Sequence, residues 1–183
     1  SLEVKILSID LPIDYGYNGC SGFVPENCER GTPSKIMPLD RKAMTSTFAP
    51  GIVIPLKPFF GSMGVAPAAA LGRVSSNPPG RHAGNMDNKE LVAGTTLYIP
   101  VFAAGALFEV GDGHAAQGDG EVDQTAIETS LRGRLQLTVR KGMALNFPRA
   151  ETVTDYISMA FDPYLVKATK MAIHKMDDFI AAT

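Results

Sequence analysis

The side chains best able to do chemistry crowd into one stretch, Gly111-Asp112-Gly113-His114-Ala115-Ala116-Gln117-Gly118-Asp119-Gly120-Glu121-Val122-Asp123. Four glycines and two alanines let the backbone approach closely and adopt positive φ. Nearly every other side chain there is a potential metal ligand. Imidazole mixed with carboxylate suits Zn²⁺ or a similar borderline cation, whereas carboxylates with an amide oxygen suit Ca²⁺ or Mg²⁺. Asp112, His114 and Glu121 together read as metal ligands, because a turn needs neither a histidine nor so much uncompensated charge. Asp123 alone reads as a solvated acid of a glycine-rich hairpin turn. The surroundings sharpen the point: from Glu90 to Leu131 there are seven acidic residues and no lysine or arginine, a pattern that repels itself unless something positive lies nearby.

A second cluster lies upstream, Pro78-Pro79-Gly80-Arg81-His82-Ala83-Gly84-Asn85-Met86-Asp87. A lone loop histidine is more often a hydrogen-bonded structural residue than a ligand, and here the company of Asn85 and Asp87 shifts His82 towards a site. The third histidine, His174, falls on the polar face of a C-terminal helix and is expected to be solvated. Ser62, between Gly61 and Gly64, lacks the lysine–serine pattern of serine amidases and reads as part of a pocket-shaping loop. The twelve residues from Asp112 to Asp123 have the length of an EF-hand loop, but Gln117 stands where its glycine belongs and no glutamate ends it. The third glycine of a dinucleotide-binding loop is also missing. Cys20 and Cys28 have no neighbouring histidine, which argues against a catalytic thiolate; two plain thiols or a small disulfide loop both fit.

Elements that must position these residues follow from periodicity. The chain has 183 residues, 45% of them hydrophobic, with 18 Gly and 13 Pro, which predicts one turn-rich domain over 1–183, mainly β. Strands are expected at Leu2–Ile9, Ile52–Ile54, Thr96–Val101, Leu107–Val110, Leu131–Thr138 and Tyr156–Phe161. One helix is expected, capped by Asp162 with Pro163 at its first position. Its apolar stripe would be Leu165, Ala168, Ala172, Met176, Phe179 and Ile180. Residues 11–50 and 62–94 read as loop-rich tracts. A net charge of −2 and a pI near 5.9 give no footprint for nucleic acid or anionic lipid, and no transmembrane helix is predicted. The bare strand at Ser1 and the uncapped end at Thr183 suggest part of a longer chain.

Three blocks taken in order, Phe60–Pro67, His82–Asp87 and Gly111–Val122 with Thr125-Ala126-Ile127-Glu128 behind them, resemble the acetamidase/formamidase family. The resemblance implies a β-sandwich-like or barrel-like fold with a C-terminal helix and a metal-dependent hydrolase that cleaves short aliphatic amides to carboxylate and ammonia. It also implies a dimer or larger homo-oligomer, cytoplasmic or exported. Relative to the family, this sequence looks shorter at both ends, with an insertion over Cys20–Pro50. The implied metal shell is His82, Asp87, Asp112, His114 and Glu121, holding Zn²⁺ or alternatively Ca²⁺. Glu121 or Glu128 is the expected general base, with Glu128 otherwise an ion-paired residue on a short helix. Gly61, Ser62, Asn85 and Gln117 are expected to meet substrate. The competing expectation is a Ca²⁺-binding β module whose ligand pocket does no chemistry.

Overall fold

A computed structural model of the chain describes residues 1–19, 34–122 and 124–182. Among the described residues, twelve strands precede one α-helix. In chain order the strands are β1 (Leu2–Asp10), β2 (Tyr15–Gly19), β3 (Ser34–Asp40), β4 (Thr45–Ala49), β5 (Ile52–Pro55) and β6 (Phe59–Gly64). Then follow β7 (Ala83–Asn85), β8 (Thr96–Ile99), β9 (Glu109–His114), β10 (Arg132–Val139), β11 (Arg149–Glu151), β12 (Tyr156–Ser158) and the helix α1 (Leu165–Ala181). All pairings are antiparallel. They make a five-stranded sheet in the order β10-β1-β8-β11-β12, a four-stranded sheet β2-β3-β4-β5 and a three-stranded sheet β7-β6-β9. The fold is therefore mainly β with a C-terminal helix.

Two apolar clusters hold these sheets together. Val4 and Ile6 of β1 alternate inward with Leu97 and Ile99 of β8 and join Met63, Leu91 and Ala150 in the larger one. The period-2 pattern of the first strand thus places its branched side chains on one buried face. The smaller cluster gathers Met37, Leu39, Leu56, Ala115, Ala116 and Ile127, seating the four-stranded sheet against the chain that follows β9.

Several expectations need correction. The stretch expected as a loop-rich tract, 11–50, supplies β2, β3 and β4; exposed Tyr15, Tyr17 and Ile36 alternate with buried Gly16 and Met37, a pattern that turn residues obscured. Cys20, Cys28 and Asp123 lie outside the described residues. Gly111 and Gly113 do not form a turn but sit within β9. The third expected strand stops at Ile99, because Pro100 has no amide to donate. The strand at Tyr156 stops at Ser158. The helix begins at Leu165, two residues later than expected, because the Asp162 carboxylate accepts from the Tyr164 amide outside the helix instead of capping it. Its packed side is Ala168, Met171, Ala172, Met176 and Phe179, while Leu165 is exposed. His174 is exposed, as expected. No helix among the described residues is long and apolar enough to cross a membrane.

Candidate functional site

The site is built on the pairing of β6 with β9. Phe59 pairs with His114, Phe60 with Gly113 and Ser62 with Gly111, so Gly61 and Asp112 fall between two of those pairs. Glycines on the strand permit this tight approach. A Cβ on Gly113 would lie 2.3 Å from the Thr129 carbonyl, and one on Gly61 would lie 2.6 Å from both Asp112 Oδ2 and Asp87 Oδ1. Asp87 arrives from the loop after β7, where its own amide and that of Met86 both donate to the Gly61 carbonyl. Glu121 ends a single 3-10 turn, Asp119–Glu121. Glu128 lies on an extended segment, not a short helix, bridging β2 through Tyr17 and β9 through His114.

These elements converge on the His114 ring, which is 1% exposed. Its Nε2 lies 3.3 Å from Asp112 Oδ1, 3.3 Å from Glu128 Oε2 and 3.9 Å from Glu121 Oε1. Two overlapping sets of ligand atoms share the ring: Asp87, His114 and Glu121, and Asp112, His114 and Glu128, each set lying within 4.8 Å. The Phe59 ring packs edge-on against the imidazole at 5.0 Å; sequence reasoning missed Phe59, whose place beside the histidine depends on register that the sequence does not display. Among the described residues, none of the four carboxylates pairs with lysine or arginine.

That much negative charge around one imidazole moves every group's proton affinity. Burial opposes a charge on His114, but Asp112, Glu128 and Glu121 outweigh it and raise its pKa from 6.5 to about 9. Burial, reinforced by the Asp87 carboxylate, pushes Glu121 up to about 7. Burial also raises Asp87 and Glu128, in both cases against the pull of His114. Asp112 alone moves down, held there by its hydrogen bond to His114. Without a cation, a proton on His114 thus supplies the positive charge. The backbone carries strain at the same place: Asp87, Asp112 and Glu121 have φ of 46°, 60° and 43°. Such values are uncommon outside glycine and tend to cluster at functional sites.

The structure therefore brings together Asp87, Asp112, His114, Glu121 and Glu128, with Gly61 as a wall. It does not bring His82, Ser62 or Asn85 to them. Ser62 follows Gly61 on β6 and points to the other face, where its hydroxyl donates to Glu109 Oε1 at 3.0 Å. Ser62, Glu109 and His82 line a separate cavity of about 290 Å³. His82 is held there because Gly80 and Ala83 exchange backbone hydrogen bonds and fold its ring against Gly80. Asn85 donates to the Asn77 carbonyl. Gln117, expected to meet substrate, spends its amide inside the protein, on His114 Nδ1 at 3.0 Å and the Asp87 carbonyl at 2.8 Å.

The family model of the Acetamidase/Formamidase family matches residues 73–169, just over half of the chain and the span that carries all five clustered residues. The chain belongs to the acetamidase/formamidase family. Its fold is shared with a solved predicted acetamidase/formamidase from Thermoanaerobacter tengcongensis, 34% identical, with a TM-score of 0.88 over 97% of this chain and 58% of that one. An acetamidase from Bacillus halodurans, 31% identical, gives a TM-score of 0.89 over 99% of this chain and 60% of its own. The acetamidase of Mycolicibacterium smegmatis is 44% identical over 46 residues, 25% of this chain and 11% of that protein. The chain thus spans about three fifths of the length of these two solved relatives.

Proposed function

We propose that this protein hydrolyses short aliphatic amides, formamide and acetamide among them, at the cluster around His114, with a divalent cation held by Asp87, Asp112, His114, Glu121 and Glu128. The observation that carries this reading is the buried Asp87 Oδ1, which has no hydrogen-bond partner, in a cluster of four carboxylates that find no lysine or arginine counter-ion among the described residues. A buried anionic oxygen left without a donor is costly, and a cation relieves that cost. The residues fit one: an imidazole nitrogen with several carboxylate oxygens is the donor mixture of Zn²⁺ and similar cations, with an oxygen-rich Ca²⁺ site as the alternative. When bound, such a cation supplies Lewis-acid polarisation of a carbonyl and brings the pKa of water from 15.7 down to about 7.

The chain's own groups divide the remaining work. Overall, water adds across the amide C–N bond, which breaks to release ammonia and leave a carboxylic acid. A proton must leave the water and another must reach the departing nitrogen. Glu121, a carboxylate beside Asp87 in the same set of ligand atoms as His114, is suited to accept the first and return it. Glu128 is oriented for the neighbouring role, since the Ala126 amide donates to its Oε1 at 2.8 Å and turns Oε2 towards His114. Gly61 keeps side-chain atoms out of the space between Asp87 and Asp112, which favours a substrate with a small acyl group. The names of the relatives, acetamidase and formamidase, support the same substrate class.

Ammonia release from formamide and acetamide, with and without a chelator, tests this reading. Turnover that the chelator abolishes and Zn²⁺ restores is expected. Undiminished turnover in a His114→Ala, Asp112→Ala double variant would remove the site from consideration. Stoichiometric Ca²⁺ with no turnover would instead favour a binding module.

A further inference from the structure

The side-chain amide of Gln117 joins two parts of the site, Asp87 and His114, that are 27 residues apart in the chain. Its nitrogen lies 2.8 Å from the backbone carbonyl of Asp87, and its oxygen lies 3.0 Å from His114 Nδ1. An amide can be placed either way round, but a backbone carbonyl only accepts, so the nitrogen must face Asp87. The oxygen then faces His114, and since an amide oxygen only accepts, Nδ1 must carry a proton. This leaves Nε2 as the ring atom turned towards Asp112, Glu121 and Glu128. The same amide captures the carbonyl of a residue held at φ 46°, whose own amide is already bonded to Gly61.

We propose that Gln117 is a positioning residue, whose amide fixes the tautomer and orientation of His114 and the left-handed backbone of Asp87 so that Nε2 and the Asp87 carboxylate face the cation site. The proposal rests on the metal-site reading above. Partners of this kind on a ligating histidine govern metal affinity, and their loss typically costs about 10–100-fold.

The test uses protein labelled with ¹⁵N at histidine. The three histidines give few signals, and His82→Asn and His174→Asn assign the remaining one to His114 without touching the cluster. A slowly exchanging Nδ1–H is expected in the cation-free protein, and zinc chloride should then move the Nε2 resonance. Gln117→Leu is expected to lose the slow exchange and to bind zinc about 10–100-fold more weakly. Gln117→Glu keeps an acceptor for Nδ1 and is expected to retain the signal. If Gln117→Leu fails to fold, Gln117→Asn, one methylene too short to span both partners, should show the same loss. The proposal is overturned if zinc moves Nδ1 instead of Nε2, or if the substituted protein keeps both the signal and a zinc affinity within twofold. If the wild-type chain takes up no zinc, the metal reading fails by itself, and the slow Nδ1–H and its loss still decide the role of Gln117.

Discussion

The two faces of the β6–β9 pair carry similar chemistry on paper and differ in the folded protein. One face presents Gly61, Asp112 and His114; the other presents Ser62 and Glu109, with His82 beside them. Each face thus has a histidine and at least one carboxylate. On the first, the imidazole is 1% exposed and four carboxylates converge on it. On the second, Glu109 is exposed and its oxygen is met by a serine hydroxyl in an open cavity. The lesson is that residue type nominates a site but strand parity and burial select it. A carboxylate that can reach water or a hydroxyl is satisfied where it stands, whereas the four on the first face crowd a buried imidazole, and one of their oxygens, Asp87 Oδ1, is cut off from water and from any hydrogen bond.

The sharpest way to break this contrast is to neutralise one acid on each face. Glu121→Gln keeps the shape of the side chain and removes its proton chemistry, so kcat for formamide is expected to fall by roughly 10²–10⁴-fold. Glu109→Gln should leave kcat within about twofold, the behaviour of a surface substitution away from the reacting atoms. Equal losses in steady-state ammonia assays would show that both faces serve the reaction.

Gly61→Ala against Ser62→Ala probes the same contrast with steric bulk. The new Cβ on Gly61 would stand 2.6 Å from Asp112 Oδ2 and Asp87 Oδ1, forcing both carboxylates to move. A displacement approaching 1 Å at reacting groups costs about 10²-fold in rate, and that loss is expected in kcat/KM. Ser62→Ala removes one exposed hydrogen bond and should change unfolding free energy by no more than about 0.5 kcal/mol, with kcat/KM unchanged. Urea unfolding alongside the kinetics separates the two effects.

How much of this was legible in the sequence varies with the kind of information involved. The acid-rich window and its glycines pointed to Asp112, His114 and Glu121 because charge and composition are local. Asp87 and Glu128 could be nominated only through the family blocks, since their approach to His114 depends on how the loop after β7 and the segment after Glu121 cross β9. His82 was misplaced for the same reason: a histidine five residues before Asp87 invites one reading, and a tight turn at Gly80–Ala83 with positive φ at Ala83 and Gly84 sends it elsewhere. The glycines at 111 and 113 suggested a turn because their usual use is conformational freedom. Here they serve close packing within a strand, which only the partner atoms reveal. Among the elements, β1 and β8 were visible from alternation, whereas β2 and β3 were hidden by glycines, prolines and an outward row of aromatic and branched residues.

A smaller effect, on stability, comes from the protons that the acidic face holds. Glu121 titrates at about 7 in the cation-free fold against 4.5 ordinarily, and His114 at about 9 against 6.5. In both cases the folded chain keeps a proton that the unfolded chain releases, so unfolding free energy must fall as pH rises. The Glu121 contribution is complete below about 4.5 and lost by about 7; the His114 contribution is complete below about 6.5 and lost through about 9. Asp112, moved the other way, contributes above its ordinary 3.8 and is lost only in more acidic solution. Urea titrations in a chelator at pH 5, 7 and 9 are therefore expected to show progressively lower midpoints. Glu121→Gln should flatten the first step and only trim the second, since Asp112 and Glu128 raise His114 more than Glu121 does, while Zn²⁺ should oppose the decline by replacing the lost protons. A midpoint that rises between pH 5 and 9 in the chelator would mean that the carboxylates do not share their charge through His114, and the distinction between the two faces would lose its electrostatic basis.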